Sequence, residues 1–518
     1  MIIAGAYLPE NPTDPVDIHV ERDRITAITP HDASVLTGES TIDAHGLIAM
    51  PGLVDSHVHG EGALFEPRVQ RAMLKQGVTS VVLGQDGVSF APSPAGTGHC
   101  AAKWAENYFA AINGAAPSGF SRGSIADFLE IFDETTALNV GYLIPHGTVR
   151  YAVKGGGPGA ATDAELAQMS ALVREGLRDG ACGISTGLEY TPAKFSDTRE
   201  LTELLQIVAD HGLPHVSHMR GYESAAVTAL EELRSLAVAT GIHTHVSHLH
   251  GPHREITEAL DAFGTAGLGI TYDTYPYLRG CTILSMLALP SWLPVADVDA
   301  MLAALGDPEQ IARLHREHLD ALDELWPRVT LAAVPGELSW TEGLSLPEAA
   351  TRLGLSPADC LIELLRASRL RASAVFAQPP TNSPESVRQF ALDERHVAGS
   401  DAIYQGGSPH PRGWGTFANY LRTYVIDGQN WTLADAAQHL ARRSAELFRF
   451  TSHGHLGVGK IADIALLDLD QVRDTATYED PQSEATGIDT VIVRGTPVLR
   501  DGELTGATPG RPLRPEPR

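Results

Sequence analysis

Eight short apolar runs, most of them followed by a helical pattern, are the feature that most constrains how this chain can fold. Runs such as TSVVLG and ACGISTG alternate with helical stretches such as DAELAQMSALVREGLRD. Strands that alternate with helices predict a parallel α/β fold, and eight such units predict a (β/α)8 barrel, the TIM barrel. The predicted barrel strands lie in VDSHVH, TSVVLG, NVGYLIPHG, ACGISTG, LPHVSHM, HTHVSHL, GITYDTYP and HVAGSD.

Both ends of the chain predict strands without intervening helices. Residues 1–50 include the alternating run VDIHVERDRITAIT, and residues 448–518 include KIADIALLDLD and TVIVRGTPVLRDGEL, which are rich in Val and Ile. We expect the two ends to form one small β domain beside a barrel of residues 51–447. The final segment TGATPGRPLRPEPR, rich in Pro, Gly and Arg, predicts a mobile tail.

The seventh and eighth predicted strands are too far apart in the sequence to be joined by one helix. About residues 283–390 contain helical segments but no obvious additional barrel strand. We therefore expect a helical insertion between the last two strands of the barrel.

Charge and cysteine content exclude several classes of partner. The 518 residues carry 38 Lys and Arg against 64 Asp and Glu, a formal net charge of −26, and such a surface repels nucleic acids and anionic bilayers. The four cysteines form no CxxC pair, which argues against a disulfide framework and favours a reducing compartment. The sequence shows neither a signal-peptide pattern nor an apolar run of ~20 residues. We expect a cytoplasmic protein that acts on a small molecule, without nucleic-acid or membrane partners.

Histidines fall at the predicted strand ends, where a barrel carries its active site. In DSHVHG, His57 and His59 are two residues apart, so both side chains project to the same face of a strand. His218 in PHVSHMRG and His248 in THVSHLHG each end a strand, with a Val two residues earlier on the same face. Active sites of TIM barrels lie at the C-terminal ends of the strands, so we expect the four imidazoles to converge.

The same alternation separates other histidines from this group. It predicts that His215, His243 and His245 face the helices or the strand bases. Asp401 ends the last predicted strand, and although a GSD sequence alone is also a common turn, it lies at the same barrel end as the four histidines. Together they form a set of nitrogen and oxygen ligands suited to zinc and closely related divalent ions.

Longer motifs resemble the D-aminoacylase (N-acyl-D-amino-acid deacylase) branch of the amidohydrolase superfamily. In chain order they are PGLVDSHVHG, GISTGLEYTPAKF, YDTYPYLRGCTILSM, AGSDAIYQGGSPHPRGWGTF and GVGKIADIALLD, and the match spans roughly residues 40–470. STGLEYTP, TYPYLRG and HPRGWGTF are the segments specific to this branch. The resemblance implies a distorted TIM barrel flanked by a β-sandwich made from both chain ends.

The resemblance also implies a metal centre with one or two Zn²⁺ ions, or another divalent metal. In that family the first-strand histidine pair, two later strand-end histidines and the last-strand Asp are the ligands, which here are His57, His59, His218, His248 and Asp401. Family members usually add a Cys from a Gly-Asn-Cys-Gly segment, and Asp86 occupies that position here. A carboxylate is a harder ligand than a thiolate, so a ligating Asp86 shifts the preference from zinc toward ions such as manganese. The alternative is that Asp86 is an Asp-Gly turn residue.

A substrate pocket beside the metal is a further implication of the resemblance. His146, Tyr190 and Arg412 stand at matching positions, and we expect Tyr190 and Arg412 to hold the substrate's carboxylate. His250 and Cys281 depart from the family, which has Lys and Ser at these two pocket positions. A histidine there is expected to titrate near neutrality, so that carboxylate affinity falls as the pH rises through about 6 to 7.

The activity that the resemblance implies is hydrolysis of the amide bond of an N-acyl-D-amino acid or a related N-acyl amino acid derivative. A metal-activated water attacks the amide, and Asp401 is the catalytic acid and base. Two alternatives stay open. A cyclic-amide hydrolase of the dihydropyrimidinase or dihydroorotase kind shares the core but usually carries a lysine at the end of the fourth strand, which reads ACGISTG here. A non-catalytic scaffold protein of the same superfamily is the other.

Overall fold

The computed structural model describes residues 1–32 and 41–517; residues 33–40 of the predicted N-terminal segment, and Arg518, lie outside the described residues. The strands are β1 (Ile2–Leu8), β2 (Asn11–Glu21), β3 (Arg24–Pro30), β4 (Thr41–Asp43), β5 (Ile48–Pro51), β6 (Leu53–Asp55), β7 (Val58–His59), β8 (Val78–Leu83), β9 (Asn139–Tyr142), β10 (Ile144–Pro145), β11 (Ile184–Gly187), β12 (His215–His218), β13 (Thr244–Val246), β14 (Ile270–Thr274), β15 (Arg279–Ile283), β16 (Val329–Ala333), β17 (Ser373–Ala377), β18 (His396–Ala398), β19 (Ala402–Ile403), β20 (Ile464–Leu467), β21 (Ile488–Val493), β22 (Thr496–Arg500) and β23 (Glu503–Leu504). The helices are α1 (Pro67–Leu74), α2 (Ala101–Tyr108), α3 (Ala110–Asn113), α4 (Ile125–Glu130), α5 (His146–Lys154), α6 (Asp163–Asp179), α7 (Thr198–Asp210), α8 (Ala226–Thr240), α9 (His253–Thr265), α10 (Leu284–Ala288), α11 (Val298–Ala304), α12 (Pro308–Glu317), α13 (Leu346–Leu353), α14 (Pro357–Ala367), α15 (Pro384–Leu392), α16 (Arg412–Tyr420), α17 (Leu433–Ala437) and α18 (Arg443–Leu447).

Parallel strands in the middle of the chain pair in the order in which they occur along it. One ladder follows β10-β11-β12-β13-β14-β18, a second follows β6-β8-β9, and β19 pairs with β7. The backbone N–H of Ser56 donates to the carbonyl oxygen of Ala398 at 3.1 Å, which brings the start of this series beside its end. The described strands therefore form an α/β fold of three parallel ladders rather than one unbroken closed sheet.

The helices between these strands begin and end at local signals. Before α6, the Thr162 hydroxyl accepts a hydrogen bond from the Glu165 N–H while the Glu165 carboxylate accepts one from the Thr162 N–H, a capping box. The helix ends at Gly180, whose φ of +105° is left-handed. Its buried face includes Leu166 and Val173, and it packs against α5 and α7. No helix within residues 1–32 and 41–517 is long and apolar enough to cross a bilayer.

Strands from both chain ends share one sheet. Its order is β23-β22-β21-β20-β5-β1-β2-β3, with β4 beside β1. β20 joins the two ends, because it pairs antiparallel both with β21 and with β5, where Ile464 lies opposite Pro51. Ile3, Ile18 and Ile492 belong to the apolar cluster that this sheet buries.

The C-terminal tail packs against the strands and helices of the middle region. The backbone N–H of Gly510 donates to the carbonyl oxygen of Thr136 at 3.0 Å, and that of Leu513 donates to Val140 at 2.8 Å. The Leu513 side chain is buried. The expectation of a mobile tail is therefore wrong for residues 505–517, because composition does not reveal hydrogen bonds and burial that distant residues supply.

The insertion contains a sheet as well as helices. β15, β16 and β17 form a three-stranded antiparallel sheet, and this sheet packs with α10 to α14 around a core that includes Trp326, Leu331 and Leu361. The expectation of a helical insertion is therefore incomplete: its helices are present and its strands stay apart from the parallel ladders, but these strands form a sheet of their own. Five-residue apolar runs such as VTLAA and SAVFA have no periodicity that separates a short strand from a buried helical turn.

Candidate active site

Three of the predicted ligands meet where the first and last of the predicted barrel strands run side by side. β7 pairs with β19, with His59 opposite Ile403. The Nε2 atoms of His57 and His59 are 3.4 Å apart, and Oδ1 of Asp401 lies 3.6 Å from the first and 3.4 Å from the second. Nitrogen ligands at about 2.0–2.1 Å from a tetrahedral zinc are about 3.3 Å from one another. The spacing of these three atoms therefore suits one divalent ion.

Asp86, His218 and His248 form a second group beside the first. Oδ2 of Asp86 lies 3.5 Å from Nδ1 of His218 and 3.6 Å from Nε2 of His248, and these two ring nitrogens are 3.1 Å apart. The same oxygen is 3.6 Å from Nε2 of His59, and Oδ1 of Asp86 is 3.7 Å from Nε2 of His57. Asp86 therefore lies between the two groups, where a bridging ligand would stand.

A tight turn after β8 directs Asp86 toward the histidines. Its φ of +54° is left-handed, and Gly87 follows at +69°. The turn packs so closely on the end of β11 that a Cβ on Gly187 would come within 2.0 Å of the Asp86 carbonyl oxygen. The side-chain amide of Gln85 donates to the carbonyl oxygen of Ser56 at 2.7 Å and connects the turn to the first strand. Asp86 is thus a turn residue, and the turn is what aims its carboxylate at the cluster.

Three of the four histidines predicted as ligands have an oxygen partner on their second ring nitrogen. The pairs are His57 Nδ1 with Asp273 Oδ2 at 3.3 Å, His59 Nδ1 with Asn113 Oδ1 at 2.9 Å, and His218 Nε2 with Glu189 Oε2 at 2.8 Å. Such partners fix the tautomer and the orientation of a ligating imidazole. The sequence interpretation missed all three. Asp273 and Glu189 lie inside the GITYDTYP and STGLEYTP motifs and could have been found there, whereas no local signal marks Asn113.

Asp273 also connects the site to a histidine that alternation separates from it. Nε2 of His245 lies 3.0 Å from Oδ2 of Asp273, which is also the oxygen that faces Nδ1 of His57. Oδ1 of Asp273 accepts a hydrogen bond from the backbone N–H of His248 at 2.8 Å. His215 and His243 contact threonine hydroxyls instead. The expectation that His245 has no part in the site is therefore incomplete, since it helps to hold the carboxylate that orients two ligands.

The carboxylates give this cluster a negative potential that favours a bound cation. Burial alone would lower the pKa of His59, but hydrogen bonding and charge from Asp401 and Asp86 raise it to about 10. Burial alone would raise the pKa of Asp86, but His218 and His248 lower it well below its usual value. Oδ1 of Asp86 is buried without a hydrogen-bond partner. An unpartnered oxygen among converging imidazole nitrogens is the donor set that a divalent metal completes.

Four residues of the site have a left-handed backbone. Asp86, Glu223, His248 and Asp401 have left-handed φ values of +54°, +54°, +37° and +50°. Each such non-glycine residue costs about 1–3 kcal/mol and persists only where the surrounding structure holds it, typically at a functional site. The fold therefore accepts strain where the carboxylates and imidazoles must converge.

A cavity of about 320 Å³ opens onto the cluster. Tyr190, His250 and Cys281 line it, and the insertion contributes one side through β15 and through Phe376 and Gln378. A larger cleft of about 950 Å³ lies between the insertion and residues 98–107, but it contains none of the predicted ligands. The smaller cavity is therefore the candidate active site.

Arg412 lies behind the cavity wall rather than on it. Its side chain is fully buried, with Nη2 2.8 Å from Oδ2 of Asp401 and the guanidinium 4.6 Å from the centre of the Tyr275 ring, which lines the cavity. The contact with Asp401 is an ion pair without hydrogen-bond geometry, so Nε, Nη1 and Nη2 are buried donors without an acceptor. Burial alone would raise the pKa of Asp401, but the Arg412 charge, with help from the histidines, lowers it to about 2. A buried guanidinium with free donors is suited to bind an anion.

The structure does not bring His146 to the cavity. Its Nε2 lies 2.8 Å from Oε1 of Glu200, whose other oxygen pairs with Arg150, and all three side chains are buried. Burial alone would raise the pKa of Glu200, but His146 and Arg150 lower it to about 2. His146 therefore belongs to a buried ion cluster between α5 and α7, and no contact in the structure supports its predicted substrate role.

His250 lines the cavity in an uncharged form. Its ring stacks on Tyr222 with centroids 4.9 Å apart, and its Nδ1 lies 2.8 Å from the carbonyl oxygen of His248. Burial lowers the pKa of His250 to about 4. The expectation that it titrates near neutrality is therefore wrong, and no fall in carboxylate affinity between pH 6 and 7 follows from this residue.

The comparison with protein families decides where the chain belongs. The model of the amidohydrolase family matches residues 40–499. The chain belongs to the amidohydrolase family. This amidohydrolase is similar to the D-aminoacylase of Alcaligenes xylosoxydans xylosoxydans, with 30% identity over 99% of this chain and 97% of that protein. It is also similar to the N-acyl-D-aspartate deacylase of the same organism, with 31% identity over 99% of this chain and 95% of the relative. The resemblance to the D-aminoacylase branch is confirmed.

Solved structures show the same relationship. The N-acyl-D-glutamate deacylase from Bordetella bronchiseptica, solved with zinc and a phosphonate inhibitor that mimics the tetrahedral intermediate, is 26% identical, with a TM-score of 0.81 over 99% of both chains. Dihydropyrimidinase from Brevibacillus agri NCHU1002 is 14% identical, with a TM-score of 0.56 over 100% of this chain and 99% of that one. The second likeness concerns the fold alone.

Proposed function

We propose that this amidohydrolase cleaves the amide bond of N-acyl-D-amino acids, or of closely related N-acyl amino acid derivatives, with a bound divalent metal. The observation that carries the proposal is the convergence of four imidazoles and two carboxylates beside one cavity of about 320 Å³. The full-length similarity to two deacylases of linear N-acyl amino acids supports the reaction class.

The residues of the cluster fit one or two zinc ions. One ion would be held by His57, His59 and Asp401, a second by His218 and His248, and Asp86 stands between them. A metal bound there polarises the scissile carbonyl and lowers the pKa of a water toward neutrality. Zinc in the N-acyl-D-glutamate deacylase structure supports this choice of metal. The carboxylate of Asp86, harder than a thiolate, also suits manganese.

Asp401 is the proposed carrier of the proton. Its Oδ1 faces the first-strand histidines while its Oδ2 faces Arg412, and the residue lines the cavity. Asp401 accepts a proton from the attacking water and returns it to the nitrogen of the leaving amine. The amide and one water thereby become a carboxylic acid and a free amino acid.

The substrate's carboxylate is proposed to bind on the Arg412 side of the cavity. The guanidinium nitrogens of Arg412 have no hydrogen-bond partner, and two of them can donate to one carboxylate. Because Arg412 lies behind the wall, this contact requires the Tyr275 ring to move aside when the substrate binds. Tyr190 lines the same cavity, with its hydroxyl 3.3 Å from that of Thr282. Burial raises the pKa of the Cys281 thiol to about 12, so it stays protonated and is a weaker donor than the serine of the family.

The two alternatives have less support. β11, the fourth predicted barrel strand, ends without the lysine that cyclic-amide hydrolases usually carry, and Asp86 stands in the bridging position instead. A scaffold protein has no need of six converging ligands, each held in place by packing or by a hydrogen-bonded partner. Metal analysis of the purified protein separates the scaffold from either hydrolase.

We further propose that the three parallel ladders act together as one (β/α)8 barrel, with the shared sheet of the chain ends as a separate β domain. The bond between Ser56 and Ala398, and the pairing of β7 with β19, support closure between the first and last strands.

All four cysteines are free, which supports a reducing, cytoplasmic setting.

The experiment that tests the function is a substrate screen on metal-quantified protein. N-acetyl and N-formyl derivatives of D- and L-amino acids are compared with dihydrouracil and hydantoin. Release of the free amino acid is measured for the linear substrates, and ring opening to the N-carbamoyl amino acid is measured for the cyclic ones. We expect metal-dependent turnover of linear D-configured substrates. Turnover of the cyclic amides alone would establish the cyclic-amide alternative, and protein that binds no metal and cleaves nothing would favour the scaffold.

A further inference from the structure

The described wall of the cavity is acidic. No Lys or Arg lies among the described residues that line the cavity, whereas Glu189 and Glu223 both do. These two carboxylates are additional to Asp86 and Asp401 of the metal cluster. The charge of a metal centre offsets its own ligands, so the two glutamates are the charges left to face a substrate.

Glu223 presents an oxygen that nothing in the protein satisfies. Its Oε2 accepts a hydrogen bond from the Thr381 hydroxyl, while its Oε1 is buried without a hydrogen-bond partner. The nearest ionisable neighbour is Nε2 of His250, 3.6 Å from that oxygen. The φ of Glu223 is +54°, so its backbone has a strained, left-handed conformation at the point where its side chain lines the cavity.

No side chain near Glu223 makes a hydrogen bond to its free oxygen. Nε2 of His250 stays 3.6 Å from that oxygen, and the other ring nitrogen of His250 lies 2.8 Å from the carbonyl oxygen of His248. Burial raises the pKa of Glu223, while Arg328 lowers it only from beyond ion-pair distance. The Arg328 guanidinium donates to the carbonyl oxygen of Ala377 at 2.8 Å. Within the described parts of the chain, no Lys or Arg forms an ion pair with Glu223 or with Glu189.

Glu189 faces the same space. Its Oε2 bonds to His218 at 2.8 Å, and 35% of its side chain remains exposed toward the cavity. The insertion also supplies apolar side chains to the wall of this cavity, those of Met286, Leu287 and Phe376. A cavity with both an apolar wall and an unpaired carboxylate fits a long side chain with an aliphatic stem and a cationic head.

We propose that the amino acid released by this enzyme carries a cationic side chain, which Glu223 binds with the help of Glu189. This specificity rests on the proposed deacylase function and names its substrate class as N-acyl derivatives of basic D-amino acids such as D-lysine. A side-chain carboxylate is repelled by the same wall. The curated relative named for N-acyl-D-aspartate and the solved one named for N-acyl-D-glutamate act on substrates of the opposite charge.

The test compares three substrates of the metal-loaded enzyme that differ in the end of the side chain: Nα-acetyl-D-lysine, N-acetyl-D-norleucine and N-acetyl-D-glutamate. Norleucine has the aliphatic stem of lysine without the ammonium group. We expect kcat/KM for the lysine derivative to exceed that for norleucine at least tenfold, with the glutamate derivative lowest. In Glu223→Gln the lysine-to-norleucine ratio is expected to fall at least tenfold, and in Glu223→Lys the glutamate derivative is expected to overtake lysine.

A matched control and a second measurement keep the outcome decisive. Glu255→Gln removes an exposed glutamate of α9 outside the cavity and is expected to leave the ratio unchanged. If the Glu223 variants fold poorly, inhibition of the unaltered enzyme by free D-lysine is compared with inhibition by D-norleucine, and D-lysine is expected to bind at least tenfold more tightly. Turnover of norleucine without a preference for lysine would overturn this inference alone. Turnover of none of the three would overturn the proposed function with it.

Discussion

Nη2 of Arg412 lies 2.8 Å from Oδ2 of Asp401, and both side chains are buried. The other oxygen of Asp401 lies 3.6 Å from Nε2 of His57 and 3.4 Å from Nε2 of His59. One carboxylate therefore connects the histidines of the metal cluster with the guanidinium that has free donors. In the proposed function, chemistry at the metal and recognition of the substrate's carboxylate therefore meet at Asp401.

Asp401→Asn is expected to lower kcat by ~10²–10⁴-fold, the usual contribution of a general acid or base. Asparagine has nearly the same shape but cannot accept the proton. Because Oδ1 also faces two imidazoles, kcat is measured after the metal content has been brought to that of the unaltered enzyme. A rate within a few-fold of the original would contradict the proton-carrier role.

Asp86→Ala is expected to lose at least one metal ion per chain and to lower kcat at least tenfold, because Asp86 lies 3.5–3.7 Å from all four imidazoles. Asp86→Cys is the matched variant, since it introduces the ligand common in the family. A thiolate is softer, so this variant is expected to prefer zinc over manganese more strongly than the original protein. Metal analysis after competition between the two ions measures this, and an Asp86→Ala protein with full metal and full rate would show that Asp86 serves the turn only.

Arg412→Ala is expected to raise KM for carboxylate-bearing substrates by about 10–100-fold, the range expected when hydrogen bonds to a charged group are lost. Arg412→Lys keeps the positive charge but lacks the planar fork of the guanidinium. Its KM is therefore expected to lie between those of the original enzyme and of Arg412→Ala. Steady-state kinetics with an N-acyl amino acid and with the corresponding N-acyl amine, which lacks the carboxylate, separate this loss from a general disturbance of Asp401. An unchanged KM would place the carboxylate elsewhere.

Glu200→Gln is expected to lower the free energy of unfolding by about 3 kcal/mol at pH 7, because it leaves the buried Arg150 charge without its partner. The pKa of Glu200 is about 2 in the folded protein against 4.5 for an ordinary glutamate. This depressed pKa stabilises the fold above pH 4.5, and the contribution is lost as the pH falls from 4.5 toward 2. Urea unfolding at pH 7, 5 and 4 measures the difference, which should shrink toward the acid end.

The same experiment is extended to His146→Ala, which removes the other partner of Glu200. We expect a loss of stability with KM unchanged, since His146 does not line the cavity. A raised KM in a protein of normal stability would restore the substrate-binding role that the resemblance implies.

Part of the site could be predicted because its signals are local. The spacing of His57 and His59 puts both rings on one face of a strand, whatever the rest of the fold does. The ends of α6 are likewise set by Thr162 and Gly180, residues next to the helix itself. The family motifs added Asp86 and the pocket positions, and the structure brings Asp86 to the four histidines.

Other members of the site have no local signal. Asn113 reaches His59 across 54 residues of sequence, and Asp273 reaches His57 across 216. Neither hydrophobic periodicity nor a turn motif predicts such a pairing, because the pairing depends on how strands and loops are brought together in space. The five-residue strands of the insertion were missed for a related reason, since their pairing partners and not their own sequences make them strands.

The sequence by itself determined the alternation of strands and helices outside the insertion, the histidine pair of the first strand and the family to which the chain belongs, since each of these depends on neighbouring residues or on motifs in fixed order. Only the tertiary structure decided that Arg412 stands behind Asp401, that His146 belongs to a buried ion cluster and that Glu223 faces the cavity. Each of these positions depends on burial and on charges from segments that are distant in the sequence. Burial in the folded protein also lowers the pKa of His250 to about 4. Such effects exist only once the chain has folded, because water in the unfolded chain screens charges that the interior brings into contact.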